Sequence, residues 1–205
     1  VNFKRRFRLA PVAEPCCAIA GTQQASFLIR DNIRHRNDIL HAYLHAIDNA
    51  KHSILIANAY FLPGIRFGRA LYAAAQRGVK ITVLLQGKSD HQLLRYATQT
   101  LYATALQAGI RIFEYEKSFM HAKVAVIDGE WATVGSSNID PFSLLMAKEA
   151  NLVVRDTGFA GELESSLRSA MADGAREMVA EELSRQPLHS RLLRWLAYGL
   201  VRAMA

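Results

Sequence analysis

The sequence predicts an α/β fold in which a mixed, largely parallel sheet is sandwiched by helices, with an amphipathic helix at the C-terminus. Short runs of β-branched residues and leucine alternate with longer stretches whose apolar residues recur at helical spacing. Strands that alternate with helices in this way are typical of parallel sheets covered on both faces. The composition fits a globular domain, because 51% of the 205 residues are hydrophobic and 21% are charged.

The first part of the chain alternates regularly between the two patterns. Ile39, Tyr43 and Ile47 share one helical face and predict a helix over 36–50. A glycine follows each of the two later helical patterns, at the position where helices commonly end. Those helices run from the turn at 62–64 to Gly78 and over 90–108 before Gly109, and the predicted strands are 26–30, 53–57, 79–85 and 110–115.

The pattern changes in the second part of the chain. Two strands, 121–127 and 131–134, are joined by Asp128-Gly129, a dipeptide favoured in tight hairpins. A further strand is predicted over 149–155, and a long helix over 159–185.

The chain divides into three expected parts. Residues 1–22 are predicted to form an inter-domain linker, because a basic run is followed there by Pro11 and Pro15. Residues 23–186 form the folded domain with the candidate catalytic residues, and residues 187–205 the amphipathic helix.

The net charge of the chain indicates the chemical class of its partner. A net charge of +7 and an isoelectric point near 9.6 favour an anionic partner, either nucleic acid or an anionic lipid surface. Charge alone does not choose between these two.

One pair of polar side chains stands out in an otherwise apolar strand. His121 and Lys123 lie two residues apart, so on a strand they project from the same face. An imidazole can attack phosphorus or protonate a leaving oxygen, and an ammonium group stabilises the charged oxygens of a phosphate. The pair therefore predicts phosphodiester chemistry.

Other polar residues follow at positions that suit the same chemistry. Ser136 and Asn138 come directly after the second hairpin strand and could donate hydrogen bonds to phosphate. Glu149 opens the next strand and could orient the imidazole of His121, with pairing to a basic side chain as the alternative. Asp128 lies before a glycine, so a role in the turn or in an ion pair is at least as well supported as direct chemistry. Neither a metal nor a cofactor is expected, because the cluster lacks a set of carboxylates or cysteines at ligand spacing.

These residues form recognised motifs. His121, Lys123 and Asp128 fit H-x-K-x-x-x-x-D, and residues 135–138 fit the G-S-x-N that follows it in the phospholipase D superfamily. Over about 26–156 the chain resembles the C-terminal half of a bacterial cardiolipin synthase. The further matching segments are RDN at 30–32, HR at 35–36, ANAYFLP at 57–63 and QGKSD at 86–90.

The resemblance implies an α/β/α sandwich and a catalytic site in which two such motifs face each other. One histidine becomes a covalent phosphohistidine, and the other acts first as general acid and then as base. Because the first motif usually supplies the nucleophile, His121 is expected to be the acid/base partner. Lys123 and Asn138 would bind phosphate, and Tyr60 would line the pocket.

A second H-x-K is absent from this sequence, so the chain holds half of such a site. Either an N-terminal half carries the first motif, or the chain pairs with a second copy of itself. The linker-like start and the synthase-like segments favour the first interpretation.

The C-terminal segment has the composition of a helix that lies in a membrane surface. Apolar residues alternate with Arg191, Arg194 and Arg202, and Trp195 and Tyr198 are aromatics that favour the interface. The alternative is a helix that packs on its own domain or on the missing half.

Together these observations favour a phosphatidyltransferase of the cardiolipin synthase type. It would act on anionic phospholipid as a peripheral protein at the cytoplasmic face of a bacterial inner membrane, with an acceptor alcohol such as phosphatidylglycerol. The alternatives are a homodimeric nuclease or hydrolytic phospholipase D, and a catalytically incomplete membrane-associated fragment. Nucleic acid is the less favoured partner, because it leaves the C-terminal helix unexplained.

Overall fold

A computed structural model describes residues 21–88, 91–184 and 187–204. The predicted linker, residues 1–22, lies outside the described residues except for its last two.

Eight strands and eight helices make up the described part of the chain. In chain order they are β1 (Gln24–Arg30), α1 (Asp38–Asn49), β2 (Ser53–Asn58), α2 (Ile65–Gln76), β3 (Lys80–Gln86), α3 (Gln92–Gln99), α4 (Tyr102–Gln107), β4 (Arg111–Tyr115), β5 (Lys123–Ile127), β6 (Trp131–Gly135), α5 (Pro141–Leu145), β7 (Glu149–Arg155), α6 (Thr157–Gly174), β8 (Ala175–Glu177), α7 (Ala180–Ser184) and α8 (Leu188–Met204).

All eight strands belong to one sheet with the order β1-β7-β6-β5-β2-β3-β4-β8. The predicted mixed sheet between helices is confirmed, but its parallel part is smaller than expected. Among the described strands only β2–β3 and β3–β4 are parallel neighbours, and the other five neighbouring pairs are antiparallel. Periodicity identifies strands but not their neighbours, and here β5 returns beside β2 instead of extending the parallel set.

Helices cover the sheet on both faces. On one face α1, α2 and α4 pack over the larger core, in which Tyr43, Phe67 and Ile56 are fully buried. On the other face α6 packs against the sheet through Leu167 and Ala160.

The helix predicted over 90–108 is divided in two. α3 ends at Gln99 and α4 begins at Tyr102. Between them the Thr100 hydroxyl contacts the carbonyl oxygens of Tyr96 at 3.2 Å and of Arg194 at 3.0 Å. A hydroxyl that bonds to backbone carbonyls competes with regular helix geometry, and here it also ties the break to α8.

The helix predicted over 159–185 also ends early, at Gly174. The chain then forms β8, which pairs antiparallel with β4, and continues into α7. A Cβ at Gly174 would lie 2.5 Å from Cβ of Lys117, so glycine permits this close approach. The ion pair between Arg111 and Glu177, 2.7 Å, further holds β8 at the sheet edge.

The predicted C-terminal helix is present as α8. It packs on α3 through Ala197 and Val201, which are buried in a small cluster with Leu62 and Ala97. Its other side exposes Leu192, Leu193, Trp195, Leu196 and Leu200. Within the described residues, no helix has the length and apolar character needed to cross a bilayer.

Candidate active site

Three strand ends meet at one edge of the sheet. β5 is antiparallel to both β2 and β6, so its first residue, Lys123, lies beside the last residues of those strands. In the β2–β5 register Lys123 is directly opposite Asn58. The G-S-x-N segment leaves β6 at this same edge, after Gly135.

The two motif side chains are in contact. Nζ of Lys123 lies 3.1 Å from Nε2 of His121. His121 precedes the strand, which begins at Lys123, so the predicted strand was two residues too long. The intervening Ala122 stays beside β2 because its carbonyl accepts a 2.9 Å hydrogen bond from Ala59 N–H, and the two side chains therefore still converge.

Lys123 is buried, with 7% of its surface exposed, whereas His121 is exposed. Burial lowers the pKa of the Lys123 ammonium below its ordinary value, and the carboxylates of Glu149 and Asp140 oppose that shift. A partly desolvated cation beside an accessible imidazole is suited to binding the charged oxygens of a phosphate.

The G-S-x-N turn depends on a close approach between two strands. A Cβ at Gly135 would lie 2.5 Å from the carbonyl oxygen of Ala150 and closer still to the side-chain oxygen of Asn151. Asn151 is buried, donates to Oγ1 of Thr133 at 3.2 Å and accepts from the N–H of Ser137 at 3.4 Å. Glycine at 135 therefore lets Asn151 hold the turn that carries Ser136 and Asn138.

Asn58 supports the same turn and was not singled out from the sequence. Its side chain is 0% exposed, and its Oδ1 accepts a 3.2 Å hydrogen bond from the N–H of Ile139. The carbonyl of Ile139 in turn accepts from Leu62 N–H at 2.7 Å. These bonds fix Ile139, the residue after Asn138. Oδ1 of Asn138 itself has no hydrogen-bond partner among the described residues. The sequence signal that could have identified Asn58 is its position as the polar last residue of a strand, directly after an apolar run.

Ser136 and Glu149 are brought together, but Glu149 does not reach His121. The Ser136 hydroxyl donates to the Glu149 carboxylate and accepts from Ala150 N–H at 3.0 Å. In the described part of the chain Glu149 has no hydrogen bond to His121, so the expected orienting contact is absent. The reason is topological: β6 lies between β7, which begins at Glu149, and β5.

Tyr60 lies near His121. Its ring centroid lies 6.4 Å from that of His121, at an interplanar angle of 77°. On its other side the ring lies 5.4 Å from that of His91. His91 has no lysine two residues later in the sequence, and only the fold places it near Tyr60.

Asp128 lies at the opposite end of β5, and its contacts there are structural. Its carboxylate accepts hydrogen bonds from the N–H groups of Lys51, His52 and Ser53 at 2.8, 2.8 and 2.9 Å. Burial alone would raise the pKa of Asp128, but these three donors outweigh it and lower the pKa. About five strand residues, roughly 17 Å at 3.4 Å per residue, separate it from Lys123. The catalytic position predicted for Asp128 is therefore corrected to the hairpin, the alternative that the sequence had left open.

Two further buried charged residues support the segment after the motif. Asp140 caps α5 by accepting from the N–H groups of Phe142 and Ser143, and burial raises the pKa of its carboxyl group. The guanidinium of Arg30 donates to the carbonyl oxygens of Leu145 and Ala147. They hold the chain between the G-S-x-N turn and β7.

Among the described residues, no group of three or more histidine, cysteine, aspartate or glutamate side chains is placed to hold a metal ion.

Comparison with known proteins extends beyond the motif. The family described as cardiolipin synthase, PLD-like domain, matches residues 43–171. Cardiolipin synthase B of Escherichia coli strain K12 is 41% identical over 158 residues, which are 77% of this chain and 38% of that protein. The chain thus spans about two fifths of the length of this curated relative.

Solved structures share the fold. Phosphatidylserine synthase of Haemophilus influenzae Rd KW20 matches with a TM-score of 0.70 at 12% identity, over 90% of this chain and 47% of that one. Nuc of Salmonella typhimurium, a phospholipase D family member, matches with a TM-score of 0.60 at 18% identity, over 77% of this chain and 99% of that one.

Proposed function

The chain belongs to the cardiolipin synthase family of phospholipase D-like domains, and on this premise we propose that it supplies half of a site that transfers a phosphatidyl group to an alcohol. The observation that carries the proposal is the contact of 3.1 Å between Nζ of Lys123 and Nε2 of His121, beside the G-S-x-N turn. An accessible imidazole and a buried cation at one sheet edge can together catalyse transfer at phosphorus.

The proposed reaction has two steps. A histidine of the partner half-domain, which carries the other motif, attacks the lipid phosphorus. A P–N bond forms as the bond to the leaving alcohol oxygen breaks. His121 gives its proton to that oxygen. In the second step His121 removes the proton of the acceptor hydroxyl, whose oxygen attacks phosphorus as the P–N bond breaks. This frees the nucleophilic histidine and leaves His121 protonated, as at the start.

Lys123 and the turn would bind the reacting phosphate throughout. The Lys123 ammonium offsets negative charge on the phosphate oxygens, and the Asn138 amide supplies a neutral hydrogen-bond donor. Ser136 would donate to the phosphate once its hydroxyl turns away from the Glu149 carboxylate. Asn58 and Asn151 would act as positioning residues, since each bonds to the backbone of the turn. Tyr60 would form one wall of the pocket.

The other half of the site requires a partner, and an exposed apolar row begins at Val134, the residue before the G-S-x-N turn. Across β6, β7 and β1 the residues Val134, Leu152 and Phe27 are directly paired in register, so they share one face of the sheet. They are 38%, 38% and 70% exposed. We propose that this row packs against the half-domain with the other motif, either an N-terminal half or a second copy of this chain.

The lipid substrate implies work at a membrane surface, and α8 supports it. The exposed apolar side of α8 includes Trp195, Leu196 and Leu200, and Arg202 adds positive charge on the same helix. We propose peripheral binding at the cytoplasmic face of a bacterial inner membrane, with this side of α8 in the bilayer interface.

The test is incubation of the chain, by itself and mixed with a half-domain that carries the other motif, with labelled phosphatidylglycerol, and separately with DNA, both without added metal. Turnover of lipid with loss of activity in His121→Ala is the expected result, whereas His41→Ala, which changes an exposed helical histidine, should be neutral. DNA cleavage without lipid turnover, or full activity of His121→Ala, would contradict the proposal.

A homodimeric single-motif phosphodiesterase is the second candidate. It is favoured by the match to Nuc, because this chain covers 99% of that phospholipase D family member. A net charge of +7 suits DNA as its substrate. The DNA arm of the same experiment, with sizing chromatography of the chain, distinguishes it from the leading proposal.

A further inference from the structure

An apolar groove lies between α2, α4 and α8, with a volume of about 260 Å³. Its floor is the sheet, where Val83 and Leu85 of β3 and Ile112 of β4 reach it from the core. Its lining is mostly aliphatic and aromatic, so water inside it would find few hydrogen-bonding partners.

The α2 wall of the groove is left open by a glycine. Ile65, Gly68 and Tyr72 lie three and four residues apart, on one face of the helix, and all three line the groove. A Cβ at Gly68 would meet no atom within 4 Å. Glycine inside a helix costs about 1 kcal/mol relative to alanine, so this helix gives up stability where the groove needs room.

Cationic side chains line the groove together with these apolar ones. Arg69 belongs to α2, and Arg202 belongs to α8, where its guanidinium carbon lies 5.6 Å from the ring centroid of Tyr198. Apolar walls with two cationic side chains favour an amphiphile of negative net charge over a neutral apolar ligand.

A small cavity lies between the groove and the candidate site, and Tyr60, Phe61 and Leu85 line it. Phe61 lines the groove as well and directly follows Tyr60, whose ring lies 6.4 Å from that of His121. Phe61 also forms a parallel bridge with Ile139, the residue after Asn138. Phe61 thus lies between the groove and the motif, where an acyl chain of a ligand bound at the motif would have to pass to enter the groove.

We propose that this groove binds one acyl chain of an anionic phospholipid whose headgroup lies at the His121–Lys123 site. The inference rests on the proposed function for its choice of a lipid. Free phosphate and nucleic acid lack an apolar chain that could fill the groove, so the occupied groove would favour lipid over either of them.

The test uses a phospholipid that dissolves as monomers, so that binding to a bilayer does not contribute. Dihexanoylphosphatidylglycerol is titrated into the protein, and the methyl NMR signals of Val83, Leu85 and Ile112 are followed. These signals should shift and saturate. Glycerophosphoglycerol, the headgroup without chains, should leave them unchanged, and an equal response to both would overturn the proposal.

Filling the groove supplies the second arm of the test. Gly68→Leu places a side chain in the open space, so affinity for the short-chain lipid should fall at least tenfold, while the melting temperature stays level or rises. Gly161→Leu is the matched control, because Gly161 is a helical glycine of α6 that also has open space around it. If Gly68→Leu does not fold, Ala105→Leu on the α4 wall of the groove is measured in its place. Unchanged lipid affinity in a folded groove variant would overturn the proposal.

Failure here can be told apart from failure of the proposed function. Lipid binding in the groove without turnover of labelled phosphatidylglycerol would contradict the proposed function and leave the groove assignment standing. Turnover of that lipid with wild-type affinity in Gly68→Leu would remove the groove assignment alone.

Discussion

Oδ1 of Asp128 accepts a hydrogen bond of 2.9 Å from the backbone N–H of Ser53, the first residue of β2. The Asp128 N–H donates back to the carbonyl of Ser53, also at 2.9 Å. This reciprocal pair ties the end of β5 to the start of β2. It thereby supports the register that places Lys123 opposite Asn58 at the end of the sheet with the candidate site.

Replacing Asp128 should therefore lower the stability of the fold and should affect catalysis less. Asp128→Ala leaves three backbone N–H groups without their acceptor and should lower the free energy of unfolding by about 1–3 kcal/mol. Urea denaturation measures this change. Asp128→Asn is the conservative comparison, because asparagine also tolerates the positive φ of 53° found here.

Wild type and Asp128→Asn also allow a test of how stability depends on pH. The pKa of Asp128 is lower in the folded protein than its ordinary value of 3.8, so the carboxylate stabilises the fold above that pH. This contribution is lost as the pH falls through the lowered pKa. The stability difference between wild type and Asp128→Asn should therefore shrink in that acidic range, and a constant difference would contradict the role.

Lys123 should set the alkaline limit of activity. Burial lowers its pKa from the ordinary 10.5, so its charge, and phosphate binding with it, is lost at a lower pH than for an exposed lysine. Lys123→Met should reduce kcat/KM by roughly 100- to 1,000-fold. Glu149→Gln removes a carboxylate that raises the pKa of Lys123, so it should move the alkaline limb of the pH profile downward. An upward shift would refute this coupling.

Gly135 should not tolerate a side chain. In Gly135→Ala the new methyl group meets the carbonyl of Ala150 and the side chain of Asn151, so the G-S-x-N turn must move. We expect a loss of roughly 1–3 kcal/mol in unfolding free energy, together with a large fall in kcat. Gly158→Ala, where a Cβ would lie 3.2 Å from the nearest side-chain atom, is a milder control.

The apolar row on the sheet should control association with the partner half-domain. If the partner is a second copy, Phe27→Ser combined with Leu152→Ser should raise the dissociation constant of the dimer at least roughly tenfold, because two apolar contacts are lost. Sedimentation velocity measures this change, and Ile33→Ser is an exposed control outside the row. A wild-type chain that stays monomeric at all concentrations would rule out a self-completed site.

The outer side of α8 should control binding to liposomes. Trp195→Ser with Leu196→Ser and Leu200→Ser should weaken binding to phosphatidylglycerol vesicles by at least roughly tenfold, without lowering the melting temperature. Removing the whole helix would be less informative, because Ala197 and Val201 cover the cluster that contains Leu62. Unchanged vesicle binding of the triple variant would contradict the proposed orientation.

The sequence by itself determined most of the local structure and singled out His121 and Lys123 as the candidate site. Apolar spacing identified α1 and the strands β2 to β7 closely, because the periodicity of burial is written in consecutive residues. His121 and Lys123 were identified for a similar reason. Two polar groups at alternate positions of an apolar segment are unusual, and they needed only a short piece of backbone to converge.

Tertiary structure decided every relationship that depends on which strands are neighbours. It placed β6 between Glu149 and the imidazole, assigned Asp128 to the N-H groups of the β2 start, and brought Asn58 and His91 to the site. It also divided α8 into an inner side that packs on α3 and an outer side that remains exposed. A local pattern reports how deeply a residue is buried. The partner that it meets is set by long-range pairing, through the combined packing of the whole sheet and its helices.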